Sequence, residues 1–138
     1  MDEHLLAAFR ATDYRVRLAG GGSASIRIDL PLPAPLRQLV GPRPWGFITA
    51  WNPRSQPRSR EANRQAQRQL LSALRQRADT LGVSVGLGVG SNGWKEPSLL
   101  VVGPPTDALD QLARRFGQLG YVHGVGDGPA GLRLLSWP

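Results

Sequence analysis

A chain of 138 residues has room for one ordinary core, and the lack of any cysteine excludes a disulfide framework, a thiol nucleophile and a cysteine zinc site. With His4 and His123 the only imidazoles, no metal cluster and no cofactor are expected. The net charge of +7 is local: residues 1–80 hold 13 arginines against 6 acids, whereas residues 81–138 hold 4 basic and 4 acidic residues.

The N-terminal MDEHLLAAFR carries acids where a secretory signal would carry lysines, and Arg10 interrupts its apolar stretch. No run approaches the length of a membrane span, so a soluble cytoplasmic protein without a membrane partner is expected. Leu5, Leu6, Ala8 and Phe9 have helical spacing, which predicts a helix from Asp2 to about Thr12. YRVRL and SIRIDL then alternate apolar and polar residues around Ala19-Gly20-Gly21-Gly22, the pattern of a β-hairpin. The connection PLPAPLRQLVGPRP is stiffened by proline, with a helical turn at 35–40.

From Trp45 the pattern becomes regular: a strand (45–51), a helix (59–81), a strand (83–90), an Asn92-Gly93 turn, a strand (98–103), a helix (106–119) and a strand (121–126). Ser59 and Thr106 are the expected helix caps, with Gly82 and Gly120 as the stops. Strand-helix-strand twice over is the order of a two-layer, ferredoxin-like βαββαβ sandwich of the α+β class. WGFITAW and SLLVVG are apolar on both faces, as central strands would be, while VSVGLGVG alternates like an edge strand. Two helices cover one face of such a sheet, so the N-terminal helix and hairpin are expected to cover the other. LRLLSW (132–137) forms a last strand paired with 121–126. A single domain, 1–138, thus comprises an N-terminal region (1–44), the βαββαβ core (45–126) and a C-terminal strand (127–138).

In this topology the third core strand lies antiparallel between the first and second. Trp51-Asn52-Pro53 therefore meets Trp94-Lys95-Glu96-Pro97-Ser98 at one end of the sheet, beside the start of the first core helix. Exposed N–H groups at that helix start, with Arg54, Ser55 and Arg58 nearby, suit an anion, and Trp51 and Trp94 supply flat apolar walls. The competing reading is architectural: tryptophans closing the core, and an Asn-Pro turn leading into a capped helix. Asn63 lies on the same helical stripe as Leu70 and Leu74, so it is expected to be buried and to bond the 51–55 loop.

Other motifs fare worse. Gly88-Val89-Gly90-Ser91-Asn92-Gly93 spells GxGxxG, but a hairpin follows it where a dinucleotide fold needs a helix. Glu96 has no neighbouring carboxylate in sequence, though His123 begins near the same sheet end. Arg60, Arg64 and Arg68 form an i, i+4, i+8 stripe that would suit nucleic acid, but no aromatic residues are interleaved with them, and an ordinary solvated helix face is the better account.

The run Ile48-Thr49-Ala50-Trp51-Asn52-Pro53 with Ser55, then Asn63, then Trp94-x-Glu96-Pro97-Ser98, then Phe116-x-Gln118, resembles the bacterial domain of unknown function 3293 over about residues 45–125. The family pattern departs after Gln118, where Leu119-Gly120 replace a small polar residue and alanine. No activity follows from the resemblance, which implies only a small bacterial cytoplasmic protein whose marked positions fall at this sheet end.

The resulting expectation is a ligand-binding or regulatory module with an anion-accepting pocket. Trp51 and Trp94 are its walls, Asn52, Ser55 and Ser98 its donors, and Arg54 its counter-charge; Glu96 orients Arg54 or a ligand amine, and Asn63 holds the loop. The alternatives are a hydrolase or transferase using Glu96, and a nucleic-acid binder on the Arg60/Arg64/Arg68 face.

Overall fold

Four helices and a seven-stranded antiparallel sheet make up residues 3–135, the part of the chain that the computed structural model describes, and the class is α+β. The helices are α1 (Glu3–Ala11), α2 (Ala34–Val40), α3 (Arg60–Gln76) and α4 (Thr106–Arg115). The strands are β1 (Asp13–Arg17), β2 (Ser23–Ile26), β3 (Pro44–Ile48), β4 (Gly82–Val89), β5 (Lys95–Val102), β6 (Gly120–Val125) and β7 (Gly131–Leu134). Asp2, assigned to the first helix, and Ser136 and Trp137, assigned to the last strand, lie outside the described residues. No helix among the described residues is long and apolar enough to cross a membrane.

The strand order is β2-β1-β4-β5-β3-β6-β7. β5 lies between β4 and β3, pairing Val85 with Leu99 on one side and Ile48 with Leu99 on the other. The hairpin corrects one expectation. It does not lie across the second sheet face but extends the sheet, with β1 pairing antiparallel to β4 through Tyr14↔Gly88 and Val16↔Gly86, so β4 is not an edge. An alternating strand buries its apolar side equally well as a cover or as a continuation. Continuation also satisfies the backbone groups of β4 that an edge would leave bare.

The extended sheet curls until its two ends meet. Just beyond β2 and just before β7, Ile28 bridges Ala130 and Pro31 bridges Pro129, and the Asp29 amide donates to the Ala130 carbonyl at 2.8 Å. SIRIDL consequently leaves the strand after Ile26: Asp29 takes a positive φ of 72°, and Leu30 faces solvent. The curl encloses one core of Tyr14, Val16, Ile26, Trp45, Phe47, Leu100 and Val122, with Leu36 and Val40 of α2 inserted into it. On the other face, α3 and α4 cover a second core of Ile48, Leu70, Leu74, Leu99, Val101, Leu109 and Phe116.

Both core helices stop earlier than predicted. α3 ends at Gln76 because Arg77 is extended, and the Arg77 guanidinium grips the Asp79 carboxylate at 2.9 Å through two nitrogens. Leu81 then joins the sheet through its amide to the Val102 carbonyl and leaves its side chain exposed, so Gly82 opens a strand instead of stopping a helix. α4 ends at Arg115 because Gly117, at φ 70°, supplies the left-handed residue: its amide bonds the Arg114 carbonyl and the Gln118 amide bonds that of Ala113, a Schellman closure three residues ahead of Gly120. Ser59 caps α3 by accepting the Ala62 amide at 3.1 Å, whereas Thr106 is the first residue of α4, after Pro105, and makes no cap bond.

One buried acid fastens the helix layer to the last strand. Asp110 of α4 accepts the Tyr121 hydroxyl at 2.7 Å and two Arg133 nitrogens at 2.7 Å each, and the Arg133 guanidinium holds its carboxyl below the usual range. At the centre of the curled core, Trp45 has no exposed surface, and a Cβ on Gly124 would lie 2.7 Å from its ring. The closely packed indole has nowhere to go. Gly124→Ala is expected to cost about 1–3 kcal/mol, read as a lower urea midpoint at unchanged slope.

Candidate functional site

The β3 ladder stops at Ile48, and side chains take over its hydrogen bonding. The Ala50 amide donates to the Gln67 side-chain oxygen at 2.8 Å, and the Trp51 amide donates to the Thr49 hydroxyl at 3.0 Å. Thr49 in turn donates to the Pro97 carbonyl at 2.7 Å, tying the end of β3 to the start of β5. Asn52 and Asn63 form a reciprocal pair: the Asn52 amide donates to Asn63 Oδ1 at 2.9 Å, and Asn63 Nδ2 donates to Asn52 Oδ1 at 2.7 Å. Asn63 is buried, so this pairing meets the demand its position on the α3 stripe creates.

The 52–55 segment is strained as well as bonded. Asn52, Arg54 and Ser55 all have positive φ, at 44°, 56° and 60°. Non-glycine residues hold such angles only where the surroundings over-determine them. Here the Arg54 amide donates to the Gly117 carbonyl at 2.6 Å, and Gly117 sits so close to Pro53 that a Cβ there would lie 2.7 Å from the proline ring. The Gln118 side chain, buried although it lies beyond α4, donates to the Trp51 carbonyl at 3.1 Å.

This loop borders a cavity of about 470 Å³. Leu5, Ala8 and Phe9 of α1 line one side of it, and Tyr14, Phe47 and Gly88 of the sheet line another. The lining also includes Trp51, Asn52 and Ser55 from the loop, Asn92 and Trp94 from the β4–β5 turn, and Glu96 and Ser98 from β5. The two tryptophan segments therefore share one space. Strand parity fixes which face it occupies: Glu96 and Ser98 alternate in step with Leu100 and Val102, which belong to the core inside the curl.

Two sequence-derived partners are not there. Arg54 lines a separate open depression on the helix side, with Arg58, Gln69, Arg114 and Arg115, because the left-handed turn at 54–55 carries the chain across to Gly117. The N-terminus of α3 does not line the cavity either, nor does any Lys or Arg among the described residues, so Arg54 supplies no counter-charge to this space. His123 does not approach Glu96: it follows Tyr121 by two residues on the helix side of β6, 6.0 Å from the Tyr121 ring centroid. Burial, followed by the nearby Arg133, lowers its pKa. Arg60, Arg64 and Arg68 are all exposed, outside both spaces.

Sequence reasoning missed Gln67. Its signal was available, since it lies one helical turn after Asn63 on a stripe that continues into Leu70 and Leu74. Gln118 falls within the helix predicted over 106–119, but the Schellman closure removes it from the helix altogether and aims it at Trp51.

Glu96 is the one carboxyl lining the cavity among the described residues. Burial pushes its pKa from the ordinary 4.5 up to about 8, with the Thr49 hydroxyl opposing part of the rise. At neutral pH the group is therefore mostly a protonated acid. No group of three or more His, Asp or Glu among the described residues is arranged to hold a metal ion.

The model of one protein family, Protein of unknown function (DUF3293), matches residues 48–120, more than half of the 138. The chain belongs to the DUF3293 family. No curated protein and no solved structure matches it. The matched segment of this DUF3293 protein runs from the last residue of β3 to the first of β6, and so spans the loop-holding trio Asn52, Asn63 and Gln118 together with Glu96.

Two outcomes follow for this DUF3293 chain. Asn63→Ala, by orphaning the Asn52 amide, should cost about 1–3 kcal/mol and accelerate hydrogen exchange at residues 50–56. Because the folded pKa of Glu96 lies above its unfolded value, the folded state holds the extra proton, and stability is greatest below about pH 4.5 as far as this group is concerned. That contribution is lost as pH rises toward 8, by at most about 5 kcal/mol, and Glu96→Gln should flatten the decline in urea titrations across this window.

Proposed function

We propose that the protein is a small-molecule-binding module whose ligand occupies the cavity between Trp51 and Trp94. The observation that carries this reading is the position of Glu96: a half-buried carboxyl lining a space of about 470 Å³ that Phe47, Trp51 and Trp94 also line. Spaces of this size, mostly apolar with a few convergent polar groups, are typical of ligand sites. The strained 52–55 loop adds support, since left-handed non-glycine residues concentrate where a protein holds a binding surface in place. Ser55, Asn52 and Ser98 supply hydrogen-bonding groups at the rim, with Asn63 acting behind Asn52 as a positioning residue. We further read the inner strands, in the order β4-β5-β3-β6 with α3 and α4 on one face, as a ferredoxin-like core; that order and its antiparallel pairing support the reading.

N-phenyl-1-naphthylamine, a neutral fluorophore, offers a direct test. Wild-type protein should enhance its emission with one saturable site. Gly88→Leu, which aims a side chain into the cavity where a Cβ would meet nothing closer than 3.6 Å, should abolish the enhancement while leaving the fold intact. Trp51→Ala should weaken binding roughly tenfold, through loss of about 1.4 kcal/mol of aromatic contact. Equal binding by wild type and Gly88→Leu would place the dye elsewhere and remove the basis of the proposal.

A second reading, a hydrolase or transferase, is favoured by the same carboxyl, because an acid with a pKa of about 8 is protonated and poised to donate near neutrality. Glu96→Gln separates the two: an enzyme should lose turnover while retaining its ligand, whereas a binding module should change only in affinity.

A further inference from the structure

The sign of the site differs from the sign of the protein. The chain carries +7 overall, yet no Lys, Arg or His lines the cavity among the described residues, and its one carboxyl is Glu96. We propose that the cavity selects an organic cation, an ammonium group on an apolar or aromatic body, with the charge paired to Glu96 and the body against Phe47, Trp51 and Trp94. This rests on the reading of the cavity as a ligand site.

The carboxyl is placed to do this and little else. It projects from β5 on the face that buries Leu100 and Val102, at the point where the apolar packing gives way to open space. The four ion pairs among the described residues join Arg10–Asp29, Arg15–Asp13, Arg77–Asp79 and Arg133–Asp110, and none uses it. A buried acid without a cation remains protonated instead of bearing an isolated charge. A ligand cation arriving beside it would favour the charged carboxylate against that burial and so lower the pKa, and binding at neutral pH should expel a proton. Indole and phenyl faces are favourable walls for the same charge, more so when water is excluded.

The other ionisable groups around Glu96 leave it the principal one able to titrate in this way. Tyr14, from β1, lines the same cavity but donates its hydroxyl to the Phe9 carbonyl at 2.6 Å, and burial raises its pKa. Tyr121, from β6, turns its hydroxyl to Asp110 on the helix side. Beyond the 48–49 segment, Arg54 and Arg58 line the helix-side depression. On α1, Glu3, His4 and Arg10 are exposed, as is Lys95 beside Glu96 on β5. From β4, Gly88 faces Glu96 and contributes no charge.

Three probes of similar size distinguish the possibilities: benzyltrimethylammonium, whose charge does not titrate, benzyl alcohol and benzoate, each competed against N-phenyl-1-naphthylamine on the full chain. The cation should displace the dye best, with its affinity rising about 50-fold from pH 6 to pH 8 as a carboxyl of pKa about 8 ionises. In Glu96→Gln, isosteric with the protonated acid, that rise should vanish, and cation affinity at pH 8 should fall at least about tenfold. Benzoate or benzyl alcohol competing as well as the cation would overturn the selectivity while leaving the ligand site intact. So would an unchanged pH profile in Glu96→Gln. Failure of the dye and of all three probes to bind wild-type protein would overturn the ligand site itself.

Discussion

A sheet whose inner strands are apolar on both faces has to be covered twice, and the described residues offer two helices of ten residues or more to do it. α3 and α4 take one face; the other is enclosed by the sheet itself, which lengthens at both edges and curls until Ile28 reaches Ala130. Much else follows from that solution. α2 fills the end of the enclosure where β3 begins, through Leu36 and Val40, while the end where β3 finishes is narrowed by α1 and two turns without being filled. The cavity is the unfilled part of a core, which is why its walls are aromatic and aliphatic and why a carboxyl inside it loses its hydration.

The walls of that space hold their shape through amide side chains. Where β3 can no longer pair with its neighbours, Gln67, Asn63 and Gln118 bond the main chain of Ala50, Asn52 and Trp51 in turn. Each of these groups is a fixed acceptor or donor anchored on or just beyond a helix. They hold the left-handed residues at 52–55 against a conformation that a free chain would leave. Rigid amides outside and a carboxyl inside divide the labour between shape and charge.

Most of this was legible in the residues, and the exceptions share a cause. Periodicity located the strands and helices, and the antiparallel insertion of β5 between β3 and β4 brought Trp51 and Trp94 to one place. Asn63 was legible because a polar residue on an apolar stripe must find a partner. The hairpin was misplaced because alternation says which side chains point inward and nothing about which neighbour the backbone joins. Arg54 was assigned to the cavity, and His123 noted near the same sheet end, because sequence position does not say on which face a side chain emerges; a left-handed turn and strand parity decided the two. The environment of Glu96 was beyond reach, since burial of one carboxyl depends on α1, β1 and the β4–β5 turn at once.

The closure of the sheet on itself has a consequence for how these molecules behave in company. Its outermost strands, β2 and β7, are only four residues long, and the segments flanking them are already bonded to one another across the seam. A long bare row of amides and carbonyls is the template on which unrelated chains stack into aggregates. Among the described residues this protein offers two short remnants of one, so crowding should join its copies through side chains sooner than through backbone.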